Sequence, residues 1–411
     1  MAASSLRNAI TIEDFRHIAR RRLPKAVFDF IDGGAEDETT VRANRAQFDR
    51  WCIIGRFPVD IAERSTAVEI FGKRHAAPLI ISPTGLVGLA RGKAELHLAR
   101  AAARIGIPFT LSTVATVSIE ELADRATDAT RWFQLYILQD RELTLRLIRR
   151  AERAGYGALV LTVDCPIPGQ RERDPRNGFT VPLRPTLANM TDLARRIPWL
   201  FDQARNGIPR PANLAGEAAG DTGGQALTAY MQSQLDPSVT WKDVAWVREL
   251  WKGPLIVKGL ISAEDARRAV EVGADGVLVS NHGGRQLNSA VPTLEALPRV
   301  VDTIAGRAAI FVDSGFRRGT DIAKALALGA TAVFLGRATL WGVAAGGEAG
   351  ATAALSILIA EMERAMGMAG CRSLAELDRS CIWDMQSGPL AEGQGHGHSH
   401  APAVRCGAEG A

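Results

Sequence analysis

The sequence predicts a closed (β/α)8 TIM barrel, and three observations carry that expectation. Eight short, largely apolar runs recur between residues 77 and 335, most of them followed by a helical stretch, over about 260 residues. Strands apolar on both faces belong to sheets covered by helices. Polar groups capable of chemistry recur at the same end of successive runs, the end where a barrel keeps its working face. The turn after the first run reads Ser82-Pro83-Thr84-Gly85-Leu86, not the GxGxxG of a doubly wound dinucleotide fold.

Taken in order, Thr11-Ile12-Glu13-Asp14 starts a helix, with Thr11 as cap and Asp14 in the first turn. A second helical segment, Lys25 to Ile31, ends at Gly33-Gly34. Together they predict a small helical lid or base before the barrel. Strand–helix alternation then follows: strand Ala77 to Ser82 and helix Lys93 to Arg104, strand Pro108 to Ser112 and helix Ser118 to Ala126. Trp132 to Ile137 leads into helix Arg141 to Ala154, and Ala158 to Val163 is the fourth strand. Beyond a long interruption come strand Leu255 to Lys258, helix Ala263 to Val272, strand Gly276 to Ser280 and helix Thr293 to Ile304. Strand Ala309 to Asp313, helix Asp321 to Leu328 and strand Ala332 to Leu335 complete the set.

The interruption, about residues 165–241, is too long for a plain barrel loop. It holds Ile197-Pro198-Trp199-Leu200-Phe201 beside Arg195, Arg196, Arg205 and Arg210. Aromatics beside arginines suit an interfacial membrane segment across residues 193–210. A helix capping the barrel mouth, with Trp199 and Phe201 packed inward, accounts for the same residues. Ala215 to Gly224 reads as a mobile Gly/Ala tract, and residues 391–411 as a disordered tail on a single domain spanning 1–390. His396, His398 and His400 alternate with small residues in that tail, which could hold a metal weakly, but a disordered end without a site is the expectation.

The 411 residues are 46% hydrophobic and 23% charged with a formal charge of +4, an ordinary globular balance. No basic block interleaved with aromatics points to nucleic acid. Five scattered cysteines suggest a reducing compartment rather than a disulfide framework. The first ten residues lack the apolar core of a signal peptide, and no run is apolar enough to span a bilayer. The expected location is cytoplasmic or peripheral at the inner face of a membrane.

The run Ser280-Asn281-His282-Gly283-Gly284-Arg285-Gln286 follows the sixth strand. An imidazole that accepts a proton near neutrality stands there beside a guanidinium that grips carboxylates, which reads as an enzyme acting on a small organic acid. Asp313-Ser314-Gly315-Phe316-Arg317-Arg318-Gly319 and Gly336-Arg337 follow strands seven and eight, the recurrent phosphate loops of this architecture. Lys258 at the end of strand five supplies a fixed cation beside a phosphorylated cofactor, or else an ordinary salt bridge.

From Thr11 to Cys381 the chain resembles the FMN-dependent 2-hydroxy acid dehydrogenase/oxidase family. The resemblance rests on Leu23-Pro24-Lys25, Gly34-Ala35-Glu36-Asp37, Phe133-Gln134-Leu135-Tyr136, Val257-Lys258-Gly259, the Ser280–Gln286 run, Arg318-Gly319-Thr320-Asp321 and Lys324-Ala325-Leu326-Ala327-Leu328-Gly329. Within it, the runs Gly207 to Asn213, Asp313 to Gly319 and Gly336 to Leu340 are most similar to the (S)-mandelate dehydrogenase branch. The resemblance implies FMN as cofactor, an (S)-2-hydroxy acid as substrate, and a membrane quinone or dioxygen as acceptor. A homotetramer and attachment to a membrane through the long insertion stay open as partnerships.

The resemblance also implies roles. His282 would be the base, with Asp164 pairing with it and favouring its charged form, and Arg171 and Arg285 would clamp the carboxylate. Tyr136 would hydrogen-bond near the substrate hydroxyl. Pro83, Thr84 and Gly85 would lie along the flavin, with Ser112, Gln134 and Thr162 bonded to its ring and Lys258 at its N1/C2 edge. Ser280, Asp313, Gly315, Arg317, Gly336 and Arg337 would serve ribityl and phosphate. Two positions depart from the family pattern. Phe30 stands where a carboxylate-binding tyrosine is usual, and Val114 where glycolate-oxidising members carry tryptophan, leaving room for a larger acid. L-Lactate oxidation, a flavin-dependent isomerase and a non-catalytic flavin module are the competing readings.

Overall fold

The computed structural model describes Leu6 and residues 8–181, 189–207, 209–214 and 233–390. The Gly/Ala tract and the histidine tail lie outside them. Eight parallel strands close into one barrel: β1 (Leu79–Ile81), β2 (Phe109–Ser112), β3 (Arg131–Leu135), β4 (Ala158–Thr162), β5 (Leu255–Leu260), β6 (Gly276–Val279), β7 (Ala309–Val312) and β8 (Ala332–Leu335). Closure is made by β8 against β1, with Val333 opposite Leu79 and Leu335 opposite Ile81.

Several strands stop a residue or two before the sequence suggested, and the released residues carry the polar groups: Ser82, Tyr136, Ser280 and Asp313. β5 instead runs on to Leu260 through a register shift at Gly259. That residue has φ +106°, and a Cβ there would lie 2.5 Å from the Cβ of Asp164. Only glycine fits both demands.

Among the described residues, three helices with defined ends precede the barrel: α1 (Ile12–Arg22), α2 (Lys25–Asp32) and α3 (Thr39–Arg50). Thr11 and Asp14 form a reciprocal capping box at the start of α1. The helices around the barrel are α4 (Ala94–Ile105), α5 (Ile119–Arg125), α6 (Arg141–Arg153), α7 (Ile197–Asn206), α8 (Trp241–Leu250), α9 (Ala263–Glu271), α10 (Thr293–Ile304), α11 (Gly319–Ala327) and α12 (Arg337–Met368). Ser118, Asp140 and Ser262 each accept a bond from a first-turn backbone N–H, which starts α5, α6 and α9 where the sequence does.

Neither α3 nor α12 was anticipated, nor the short strand Trp51–Ile53 that follows α3 and pairs antiparallel with Ile382–Asp384. α12 is long and apolar enough to match a membrane span, yet half of its most apolar stretch is buried inside the protein, and it packs on α1, α4 and α11. Gly346 and Gly347 break its helical geometry in its first half. It is a core helix. The front helices are part of the mouth rather than a base, because α2 and α3 bring Phe30, Ile31, Asn44 and Arg45 to the wall of the main cavity.

The core has two layers. One lies between strands and helices. The other fills the barrel with Ile80, Trp132, Val160, Ile256, Leu278, Phe311 and Phe334, against which Val68, Ile70 and Phe71 of the hairpin Val68–Ile70/Lys73–His75 pack. Phe311 meets Phe71, Trp132 and Phe334 at ring-centroid distances of 5.5–6.2 Å. Its truncation removes a buried ring that the surrounding aromatics cannot replace. Phe311→Ala should cost about 3–5 kcal/mol, read as a lowered denaturant midpoint.

Candidate active site

The strand ends open into a cavity of about 500 Å³. Pro83, Thr84 and Gly85 reach it from the loop after β1, Ser112 and Val114 from β2, and Tyr136 from β3. Arg171 arrives from the long insertion and Lys258 from β5; His282 and Arg285 follow β6. Asp313, Gly315 and Arg317 follow β7, and Gly336 and Arg337 follow β8. Three expected residues, Gln134, Thr162 and Ser280, are not on its wall, and Asp164 stands behind His282.

His282 has φ +55° and begins a tight turn continued by Gly283 and Gly284, both at positive φ. The strain for a histidine in that region is of the order of 1–3 kcal/mol, and it is held there by a bond from its backbone N–H to the Ser280 hydroxyl, 3.1 Å. The imidazole Nδ1 lies 2.9 Å from Asp164 Oδ1. The second carboxylate oxygen of Asp164 is 3.4 Å from Lys258 Nζ, which also donates to Ser280 Oγ at 2.9 Å and lies 3.8 Å from Asp313. Ser280 was expected to serve the ribityl chain. Its hydroxyl oxygen accepts from Lys258 and from the His282 backbone N–H, and its O–H is left to donate elsewhere.

Protonation follows from these contacts. Burial opposes charge on Asp164, but Lys258 and His282 outweigh it and hold the carboxyl far below the usual carboxylate range. Lys258 is buried too, yet Asp164 and Asp313 keep its ammonium charged, with a raised pKa. For His282 burial wins. Asp164 pulls its pKa up, but desolvation, helped by Lys258 and Arg285, leaves it below the ordinary value. Asp164 thus favours the charged imidazole as expected, but burial outweighs it in the resting site, and the ring is neutral and poised to accept a proton. Burial first, then Cys165 and Asp164, raise the Tyr136 phenol well above its usual value, so its O–H is retained as a donor.

A second group of charges faces the same space. Arg171 and Arg285 stand 5.2 and 5.3 Å from the Phe30 ring, which stacks on Phe179 at 4.6 Å and 9°. Arg285 Nη1 donates to the carbonyls of Phe30 at 2.8 Å and Gly33 at 3.0 Å, which fixes its fork. Arg171 Nε is 3.0 Å from Asp174 Oδ2 but lacks hydrogen-bond alignment. Burial, then Arg171 and Arg337, depress the Arg285 pKa strongly. A guanidinium stays protonated in proteins, so that depression measures a buried positive field awaiting an anion. Apolar side chains, among them Val114, Leu138, Val181, Leu214 and Leu235, line the cavity with these cations.

Arg337 donates three of its five N–H groups, to the carbonyls of Ile31 at 3.1 Å, Gly283 at 2.9 Å and Gly33 at 2.7 Å. Its guanidinium ties α2 to the sixth loop while lining the cavity, and its backbone N–H lies in the first turn of α12. Arg317 also lines the cavity, its Nη1 donating to Glu13 Oε2 at 3.3 Å and its guanidinium 5.0 Å from the Trp341 ring. Burial, then Arg45, lower its pKa, the mark of cations crowded without enough negative charge.

Several site residues had no role in the sequence reading. Cys165 Sγ lies 3.4 Å from both Asp164 Oδ1 and His282 Nδ1 and accepts from Gln286 Nε2 at 2.7 Å. Phe179, Asn44, Arg45 and Ser314 also line the cavity. Adjacency to Asp164 at a strand end was the one signal that pointed to Cys165; Phe179 and α3 are brought in by tertiary packing alone.

α7 divides its aromatics. Trp199 turns inward, its Nε1 donating to the Leu89 carbonyl at 2.7 Å, while Ile197 and Phe201 are each 69% exposed and Leu200 is 40% exposed. The inward expectation holds for Trp199 and the exposed one for Phe201.

Comparison with known proteins follows the geometry. The family model for FMN-dependent dehydrogenases matches residues 19–384. The chain is 45% identical over 370 residues to (S)-mandelate dehydrogenase of Pseudomonas putida, covering 90% of this chain and 93% of that one. It is 42% identical over 365 residues to an L-lactate dehydrogenase of Pectobacterium atrosepticum, covering 89% and 94%. Among solved structures it superposes on that of the monotopic membrane protein (S)-mandelate dehydrogenase with TM-score 0.88 and 43% identity, over 92% of this chain and all of the other.

The residues present fit FMN. Gln134 Nε2 and Thr162 Oγ1 are buried and have no hydrogen-bond partner among the described residues. Unpaired buried polar atoms are costly and call for a partner. A flavin ring edge, with its alternating donors and acceptors, supplies one. Lys258 lines the same cavity, as do Ser314 and Gly315, at φ +81° and +90°, and Arg317, a set of groups that could hold the charged parts of such a cofactor.

A neutral His282 base loses activity as pH falls through its lowered pKa. The acid limb of kcat/KM should therefore lie below about pH 6.5. Asp164→Asn removes the charge that lifts the imidazole pKa, so it should move that limb further down while lowering kcat by about 10²-fold or more. A pH–rate profile of both proteins checks this.

Proposed function

The chain belongs to the FMN-dependent dehydrogenase family, and from that premise we propose that it oxidises (S)-mandelate or a related aryl (S)-2-hydroxy acid to the 2-oxo acid. The observation that carries the reading is one convergence: the His282–Asp164 pair at 2.9 Å and the Arg171/Arg285 pair around Phe30 share a single cavity. FMN, when bound, accepts the two electrons of the oxidation.

The protein's own groups do the rest. Arg171 and Arg285 bind the substrate carboxylate and so fix the carbon that carries the hydroxyl; two-pronged charge-assisted bonds give that grip its orientation. Asp164 accepts a hydrogen bond from Nδ1–H, which leaves His282 Nε2 free as the base on the opposite side of the ring. As His282 takes the proton it becomes imidazolium beside the Asp164 carboxylate, an interaction stronger in the transition state than in the resting site, as catalysis requires. Tyr136 keeps its O–H and donates toward the substrate oxygens. Lys258 holds a fixed positive charge beside the flavin edge served by Gln134 and Thr162. Arg317 and the seventh- and eighth-loop backbone hold the phosphate.

The aryl preference is supported by the apolar wall opposite the arginines and by Val114, whose Cγ2 would sit 2.3 Å from a Cβ at Gly85. Those two small residues set the space beside the reacting carbon. Anaerobic mixing with (S)-mandelate, (R)-mandelate, L-lactate and glycolate, followed by flavin absorbance, tests the reading. (S)-Mandelate should bleach the flavin fastest, and preference for glycolate would overturn the substrate assignment. His282→Gln should retain FMN and slow bleaching by on the order of 10³-fold or more.

The electron acceptor we propose is a membrane quinone, reached by peripheral attachment through α7. Ile197, Leu200 and Phe201 form an exposed apolar patch flanked by Arg195 and Arg205, the pattern of an interfacial helix. Its solved relative is described as a monotopic membrane protein. Ile197→Glu with Phe201→Glu should abolish co-sedimentation with anionic vesicles while flavin content stays at one per chain. Undiminished vesicle binding would remove α7 from the account.

A further inference from the structure

Cys165 has no part in the reaction described above, yet it stands at its centre. Its Sγ is 3.4 Å from Asp164 Oδ1 and 3.4 Å from His282 Nδ1, and those two atoms are 2.9 Å apart. Thiolate, imidazole and carboxylate are the ligand set of zinc. Zinc bonds of about 2.0 Å to nitrogen and oxygen and about 2.3 Å to sulfur place tetrahedral ligand atoms roughly 3.3–3.5 Å apart. The three atoms meet that spacing with a few tenths of an ångström of adjustment. A point about 2 Å from all three lies just off their plane, the geometry of three protein ligands with a fourth position open.

The surroundings agree. Cys165 lines both the main cavity and a neighbouring pocket bordered by Thr162, Val163 and Gly259, so its sulfur can be approached from the Asp164 side of the His282 ring. Gln286 Nε2, 2.7 Å from Sγ, already points a donor at the sulfur and would stabilise a thiolate. Lys258 contacts the other oxygen of Asp164 and leaves Oδ1 for the metal. The ammonium's repulsion is offset by the second negative charge that appears when the thiol gives up its proton to the solvent on coordination.

We propose that Asp164, Cys165 and His282 form a site for a soft divalent cation, zinc in the first instance, whose binding inhibits the enzyme reversibly. The mechanism follows from imidazole chemistry. A neutral ring coordinated through Nδ1 carries its proton on Nε2, the nitrogen that must be empty to act as base. Zinc therefore disarms His282 without touching Arg171 or Arg285. Turnover falls while substrate affinity is retained.

This inference rests on the proposed role of His282 for its effect on turnover, but not for binding, so the two are tested separately. Calorimetric titration of the FMN-loaded full chain with zinc chloride, with magnesium chloride as control, reads binding without turnover. Cobalt(II) in the same site reports the sulfur ligand by a thiolate-to-metal absorption band. One Cys165-dependent zinc per chain is expected and no such magnesium site. Saturating zinc should lower kcat about ten-fold or more with KM nearly unchanged, and a chelator should restore it. Cys165→Ser should weaken that zinc about ten-fold or more and remove the cobalt band, with Cys165→Ala as the second variant. Zinc binding unchanged in both variants, or absent from the parent protein, overturns the site. Cys165-dependent zinc in a protein that oxidises no hydroxy acid would leave the site standing and reject the activity.

Discussion

The single Asp164 carboxylate, shared between Lys258 at 3.4 Å and His282 at 2.9 Å, sets the charge of everything around it. Opposite charges at such a distance attract by about 4 kcal/mol at an effective dielectric near 20. That is enough to keep Lys258 ionised in spite of its burial, with Asp313 helping. It is not enough to ionise His282 as well, because burial and the neighbouring ammonium both oppose a second cation. One anion for two potential cations produces a division of labour: a permanent positive charge on one side of Asp164 and a neutral base on the other. Gly259 makes the arrangement sterically possible, since any side chain on that bulge of β5 would displace the Asp164 backbone.

Much of the barrel was legible because its strands are buried on both faces and read as uninterrupted apolar runs, which few other elements imitate. The same logic explains the misses. α3 is polar along much of its length and follows Gly33-Gly34, which reads as an ending; it is stabilised by partners distant in sequence, such as Asn281, bonded to Asn44 at 2.7–2.9 Å. α12 joins two helices across Gly346 and Gly347, so no single period runs through it. For α7 the composition was right but ambiguous, and the helical repeat resolves it. Trp199 and Gln203, four residues apart, bond the Leu89 and Gly88 carbonyls, while Ile197, Leu200 and Phe201 fall on the other side.

Within the site, sequence position located groups better than it assigned their contacts. Ser280 and Arg337 occupy expected loops, and their side chains also build the site. Ser280 fixes Lys258 and the His282 turn. Arg337 binds two segments, Ile31–Gly33 and Gly283, that carry Phe30 and His282. Such roles depend on which carbonyls happen to converge, and no local pattern encodes that. Cys165 illustrates the opposite limit: its neighbour Asp164 was identifiable from the strand end, but its approach to His282, 117 residues away, exists only in the folded chain.

Phe30 shows how a missing hydroxyl is accommodated. A tyrosine there would add a donor to the anion site between Arg171 and Arg285. The phenyl ring instead gives both guanidiniums an aromatic face at 5.2–5.3 Å, worth about 0.5–2 kcal/mol each according to how far they are desolvated. Those contacts hold the cations without consuming their N–H donors. The stack on Phe179 fixes the ring in turn, and it extends the apolar surface that begins at the arginines. The exchange thus shifts carboxylate binding wholly onto two charged forks while enlarging the hydrophobic wall beside them. A substrate gains from that trade only if it carries an apolar group as well as an acid, so the departure from the family pattern and the proposed aryl preference have one physical origin.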